Sequence, residues 1–214
     1  MVQRRSILFL LMIGLFGVAA LPGAAGAQVP EAPSSDTVEK VAPYVATPDR
    51  VVRRMLEAAD VTSDDVVYDL GSGDGRIPIL AAKEFGARGI GIEIDSELVE
   101  EARANAEAAG VADQVEFREM DLFDTDLSDA TVVALYLWPE INVKLRPKLL
   151  QELDPGDRVV SHDFRIGKWE PDQSIEMGSD PMTQELIFTW TIPETVPDRL
   201  LRTPDTTDAP GLEQ

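Results

Sequence analysis

"VVYDLGSGDGR", residues 66–76, decides how the rest of the chain is read. Val66 to Leu70 are mostly apolar, which predicts a short buried strand. Three glycines follow, Gly71, Gly73 and Gly75, interleaved with Ser72 and Asp74, and Asp69 stands two residues ahead of the first of them. Glycine lets a backbone approach a ligand with no Cβ in the way. The carboxylates then restrict which ligand that is.

A dinucleotide is the first candidate, but its G-x-G-x-x-G fingerprint requires glycine where this chain has Arg76. Asp69 and Asp74 would also repel a pyrophosphate, so a nicotinamide dehydrogenase is excluded. A ligand with an ammonium, a sulfonium and a ribose meets no such repulsion. S-adenosylmethionine is that ligand. The next strand, "RGIGIEI" (88–94), places Glu93 ~20 residues after the loop, where a carboxylate takes both ribose hydroxyls. The strand after it runs into "EMDLFD", where Asp121 is placed to accept from the adenine amino group and Leu122 or Met120 to flank the ring.

These segments alternate with helical ones. Thr47-Pro48-Asp49 predicts a helix start, with the Thr47 hydroxyl as N-cap, and Val51, Val52, Met55 and Leu56 form its apolar stripe. "RIPILAAKEF" (76–85) and "SELVEEARANAEAA" (96–109) read as helices, the second capped by Ser96 and ended by Gly110. "QVEFREM" (114–120), "TVVALYL" (131–137) and "DRVVSHDF" (157–164) read as further strands, with "PEINVKLRPKLLQEL" (139–153) helical between the last two. "QSIEM" and "ELIFTWTI" (185–192) are two final strands expected to be antiparallel. The pattern predicts an α/β fold, a doubly wound and mostly parallel seven-stranded sheet with helices on both faces. Such a sheet binds its ligand outside the carboxyl ends of its strands.

"YDLGSGDGR", "GIGIEID" and "EMDLFD" resemble the class I (seven-stranded) methyltransferases, over roughly Val41 to Ile192. "PYVATPDRVVRRML" and "ALYLWPEINVKLRPKLLQELDPGDRVVSHDF" are similar, more specifically, to bacterial relatives of the mitochondrial lysine methyltransferases acting on the ATP synthase c subunit and the adenine nucleotide translocase. The resemblance implies S-adenosylmethionine as cofactor and a protein lysine as acceptor. It also implies that Tyr44 and Thr47 close over the methionine tail. A small-molecule methyltransferase, or a catalytically silent cofactor-binding or interaction module, is the alternative.

Methyl transfer to an amine is an in-line displacement that needs a neutral nitrogen, while free lysine has pKa ~10.4. The acceptor-side candidates follow the fourth strand. Amine methyltransferases often carry Asn/Asp-Pro-Pro-aromatic there, whereas this chain has Leu137-Trp138-Pro139-Glu140. Tyr136 or Trp138 is expected to form an aromatic wall for a cationic acceptor, and Glu140 to orient the amine. His162 and Asp163, at the end of the fifth strand, are the second candidates. Lys144, Arg146 and Lys148 read as a solvated helix face.

Composition narrows the alternatives. Thirty-nine Asp and Glu against 19 Lys and Arg give a net charge of −20, which disfavours nucleic acid as a partner and suits a hydrated surface in high salt. There is no cysteine and a single histidine, so neither a thiolate nucleophile nor a Cys/His metal centre can be built, and no metal is expected. No G-x-S-x-G elbow is present.

Residues 1–27 carry Arg4 and Arg5, an apolar run from Ile7 to Leu21, and the small residues Ala25-Gly26-Ala27. This order predicts a secretory signal peptide cleaved before Gln28, or an uncleaved N-terminal membrane anchor through residues 7–21. In either case the domain is expected to be exported, periplasmic or otherwise extracytoplasmic, or anchored at the membrane. Residues 28–42 read as a flexible linker, 43–192 as the methyltransferase domain, and 193–214 as a disordered acidic tail.

Overall fold

A computed structural model describes residues 46–178 and 184–202. The signal or anchor segment, the linker and Tyr44 lie outside the described residues. Among the described residues no helix is long and apolar enough to cross a membrane.

Seven strands form one sheet in the order β3-β2-β1-β4-β5-β7-β6. They are β1 (Val66–Leu70), β2 (Arg88–Glu93), β3 (Val115–Glu119), β4 (Val132–Leu135), β5 (Arg158–His162), β6 (Gln173–Met177) and β7 (Glu185–Thr191). The first five are parallel, and β7 runs antiparallel between β5 and β6. The chain moves outward from β1 through β2 to β3, then returns to place β4 on the other side of β1. That reversal is the switch point at which an open α/β sheet leaves a crevice.

The helices are α1 (Asp49–Ala58), α2 (Arg76–Phe85), α3 (Ser96–Ala109), α4 (Pro139–Glu152) and α5 (Asp198–Leu201). Alternation along the strands sorts them into two layers. Val67, Val132, Ala134, Val160 and Ile187 pack with the apolar stripes of α1 and α2. Tyr68, Leu70, Val133, Leu135 and Val159 pack with Ile141, Leu145 and Leu149 of α4. Strand ends fall one or two residues inside the expected ones at β2, β3, β4, β5 and β7, because the chain turns away at the carboxyl edge before the apolar run is exhausted.

Four expectations are corrected. Pro48, not Thr47, occupies the N-cap of α1, with no side-chain cap bond. Asp95, not Ser96, caps α3 by accepting from Glu97 N. Arg146 is no solvated residue: it is 1% exposed, and its Nε donates to Leu200 O at 3.0 Å. That same contact holds the start of the segment expected to be disordered, since Leu200 of α5 joins the core beneath α4. The folded domain therefore runs past Ile192 to at least Leu201.

Candidate active site

Beyond Leu70 the chain bends so tightly that Gly71, Gly73 and Gly75 all have positive φ (+85°, +52° and +80°). The N–H groups of Gly71 and Ser72 both donate to Ile92 O, at 2.8 and 2.9 Å, which ties the loop to the end of β2. Gly75 must be glycine on two counts. Its φ is left-handed, and a Cβ there would lie 2.5 Å from the Phe117 ring and 2.8 Å from Ala102. Gly91 inside β2 is constrained by packing alone, since its Cβ would meet Phe117 at 2.5 Å and Ser72 Oγ at 2.6 Å.

Three acids stand at the carboxyl ends of three adjacent strands. Asp69 is 2% exposed, and its carboxyl is pushed up to about 8, by burial first and then by the neighbouring Glu93 and Asp74. In the free protein it is thus largely protonated at neutral pH. Glu93 is aimed by three backbone donors: Gly73 N to Oε2 at 2.9 Å, and Ile94 N and Asp95 N to Oε1 at 2.8 and 3.0 Å. Asp121 accepts from Phe123 N at 2.8 Å, capping the 3-10 turn Leu122–Asp124. Leu122 is buried in the core that backs this corner.

The loop acid Asp74 has a different role from Asp69. Arg76 grips it through Nε and Nη2 at 2.9 and 2.5 Å, and Nη1 of the same guanidinium donates to Thr47 O at 2.8 Å. Arg76 stands where a dinucleotide loop has glycine, and here it locks the loop to the entry of α1.

The second half of the site follows from strand register. Asp69 is level with Ala134, and Ala134 with Val160, across β1, β4 and β5. One row farther out on the same face come Tyr136 and His162, whose ring centroids are 4.2 Å apart. Phe164 stacks on Tyr136 at 6.2 Å, and Trp138, 44% exposed, tilts against Phe164 at 5.7 Å. Tyr136, Phe164 and Trp138 thus line the carboxyl edge of β4 and β5. Thr47 Oγ1 lies 3.4 Å from His162 Nδ1, so the residue expected over the methionine tail faces this half of the site. Glu140 is exposed on the first turn of α4, and among the described residues no polar or ring contact joins it to the aromatic cluster.

Sequence reasoning missed Phe164, Arg76 and Gly91. Phe164 was findable, since it lies two residues beyond His162 at the same strand end. Among the described residues no cluster of His, Asp and Glu has a metal-holding arrangement.

A seven-stranded sheet with one antiparallel strand, a glycine loop at its switch point and an acid ending each of β1 and β2 together define the class I methyltransferase fold. The family of the ANTKMT methyltransferase domain matches residues 69–173. A protein-lysine N-methyltransferase of Saccharolobus islandicus (strain REY15A) is 47% identical over 153 residues, covering 71% of this chain and 94% of that one. The mouse adenine nucleotide translocase lysine N-methyltransferase is 38% identical over 139 residues, 64% of this chain and 60% of its own length. A crystal structure described as an RNA methyltransferase of Salinibacter ruber, in complex with S-adenosyl-L-homocysteine, is 58% identical with a TM-score of 0.69. It covers 73% of this chain and 99% of that one. The chain belongs to the ANTKMT methyltransferase family and is an S-adenosylmethionine-dependent methyltransferase.

Proposed function

We propose that the protein methylates the side-chain nitrogen of protein lysines. The observation that carries this reading is the Tyr136–Phe164–Trp138 wall, set one strand away from the glycine loop and on the same edge of the sheet. Such a wall attracts an alkylammonium through its ring faces. The lysine N-methyltransferase names of two relatives support it.

The residues of the other half fit the cofactor. Gly71, Gly73 and Gly75 leave room for its methionine tail, Asp69 faces the cationic end, and Glu93 is preoriented for the ribose hydroxyls. Asp121 accepts from the adenine amino group above Leu122, while Thr47, with Tyr44, borders the tail. When bound, the cofactor supplies an electrophilic methyl group on a sulfonium. The protein holds the amine in line with that group, keeps water away and removes the amine's proton. Tyr136 and Trp138 hold the acceptor. His162 lies beside it, and Glu140 at the mouth adds a negative field that draws cations in.

A second reading comes from the Salinibacter structure, described as an RNA methyltransferase. A chain of net charge −20 repels a polyanion, and this favours the lysine reading. Incubation with tritiated S-adenosylmethionine, membrane protein and total RNA in parallel separates the two. Label recovered as Nε-methyllysine supports the proposal, and label confined to RNA overturns it. We further propose that residues 1–27 export the domain or anchor it outside the cytoplasm. A C-terminal tag accessible only from the cytoplasm would overturn that.

A further inference from the structure

The carboxylate expected to orient the acceptor amine was Glu140, yet the geometry points elsewhere. Asp163 follows β5 with φ +60°, a left-handed conformation rarely adopted by a residue other than glycine. Four bonds hold it there. Asp163 N donates to Leu186 O at 2.7 Å, Leu186 N to Asp163 Oδ1 at 2.9 Å, Phe164 N to His162 O at 2.7 Å and Ser161 Oγ to Phe164 O at 2.7 Å. The second oxygen, Oδ2, lies 3.4 Å from His162 Nε2, outside good hydrogen-bond geometry. His162 is only 2% exposed, and its Nε2 has no hydrogen-bond partner. A buried nitrogen left without a partner asks for an explanation.

Thr47 Oγ1 and Asp163 Oδ2 each stand 3.4 Å from one of the two imidazole nitrogens. With the hydrogen on Nδ1, the Nε2 lone pair faces Asp163 Oδ2 as two acceptors with no hydrogen between them, and Asp163, its side chain 29% exposed, opens this gap toward solvent. A donor carrying several N–H bonds and a positive charge satisfies both. Burial, the largest influence, lowers the imidazole below its ordinary value against the opposing pull of Asp163 and Glu185, with Arg50 adding to the lowering. Glu185 is itself paired with Arg50, so Asp163 is the carboxylate of this corner that is open to a ligand.

We propose that Asp163 and His162 receive the acceptor's ammonium: it enters along Tyr136, Phe164 and Trp138, donates one hydrogen bond to Asp163 Oδ2, and gives one proton to His162 Nε2. The N–H bond breaks with its electron pair left on nitrogen, and the imidazolium is held by the Asp163 carboxylate. That nitrogen pair then forms the N–C bond as the S–C bond breaks, the sulfur keeping the latter pair, and the proton passes from His162 to solvent. His162 is thereby the base and Asp163 the ammonium anchor, both beyond the role given to Glu140. The inference rests on the amine-methyltransferase reading above.

The single histidine makes the test direct. The full chain is loaded with S-adenosylhomocysteine and titrated with n-butylammonium, a lysine side-chain surrogate, while the imidazole signals of His162 are followed by NMR. Saturable shifts of that one imidazole are expected, with binding weakened at least tenfold in Asp163→Asn and partly restored in Asp163→Glu, and S-adenosylhomocysteine affinity unchanged in both. Equal butylammonium binding by wild type and Asp163→Asn overturns the proposal, as does an imidazole that never responds. Failure to bind S-adenosylhomocysteine at all would instead sink the methyltransferase reading itself.

Discussion

Tyr136 and His162 extend neighbouring parallel strands and stack with their ring centroids 4.2 Å apart. The pairing joins the residue expected to hold the acceptor to the only imidazole in the chain. Burial, then Asp163 and Glu185, raise the Tyr136 phenol above its ordinary value, so it stays a neutral donor. Tyr136→Phe keeps the ring and is expected to retain most activity. Tyr136→Ala removes both cation–π attraction and the stack, a loss of about 1–2 kcal/mol or roughly tenfold in kcat/KM for the acceptor. Steady-state kinetics on a methylated protein fraction distinguishes the two.

Asp69 makes cofactor binding depend on pH. Its carboxyl is pushed up to about 8 in the free protein, and a bound cation favours the ionised form. Cofactor binding is therefore expected to release a proton below pH 8 and to tighten as pH rises toward it. Calorimetry in buffers of different ionisation enthalpy reads that release directly, and Asp69→Asn abolishes it.

The same residue has the opposite effect on ligand-free stability. Its folded pKa lies above the unfolded value of ~3.9, so its contribution is complete below that value and is lost as pH rises through 8. The thermal midpoint of the free protein is expected to fall as pH rises from ~4 to about 8 and to level off above that. Asp69→Asn should flatten this fall. A parallel decline in the variant would show that other groups dominate.

At the opposite end of the sheet, Asp65 is bound by Arg158, by Thr131 Oγ1 at 2.7 Å, and by Thr62 through N at 2.7 Å and Oγ1 at 3.0 Å. Burial alone would raise its carboxyl, but the bonds from Thr131, Thr62 and Arg158 outweigh it and hold it below the ordinary value. The stabilisation is present above the unfolded pKa of ~3.9 and disappears as pH falls through the lower folded one. Asp65→Ala leaves Arg158 and Thr131 without their shared partner, at an expected cost of about 3 kcal/mol in urea unfolding at pH 7.

Gly75→Ala tests the loop's packing. It adds a Cβ 2.5 Å from Phe117 in a left-handed backbone, so a loss of about 2–4 kcal/mol is expected. Cofactor affinity should fall with it, because α2 begins at this glycine. An unchanged unfolding midpoint would mean that Phe117 swings aside.

Much of this was legible in the sequence for a physical reason. Each element carries the period of its own geometry, and the acids Asp69 and Glu93 sit at strand ends that the apolar runs locate by themselves. What stayed hidden depends on neighbours brought in by folding. Thr47 has the chemistry of a cap, but Pro48 takes that position and the hydroxyl turns to His162, 115 residues away. Arg146 looks solvated by composition and is buried by α5, four residues of a polar stretch that no periodicity announces. Asp163 reads as an ordinary strand-end acid until its backbone angle shows it held in a left-handed turn by Leu186.

The row formed by the loop, Tyr136 and His162 crosses β1, β4 and β5 at right angles to the chain. Its step is the sheet's own spacing of ~4.8 Å between strands. On the proposed reading, donor and acceptor are thus gauged by the backbone hydrogen bonds of the sheet and not by the loops that admit the substrate. Loop changes at Trp138 or Phe164 can retune which partner is welcomed while the stroke of the transfer keeps its length.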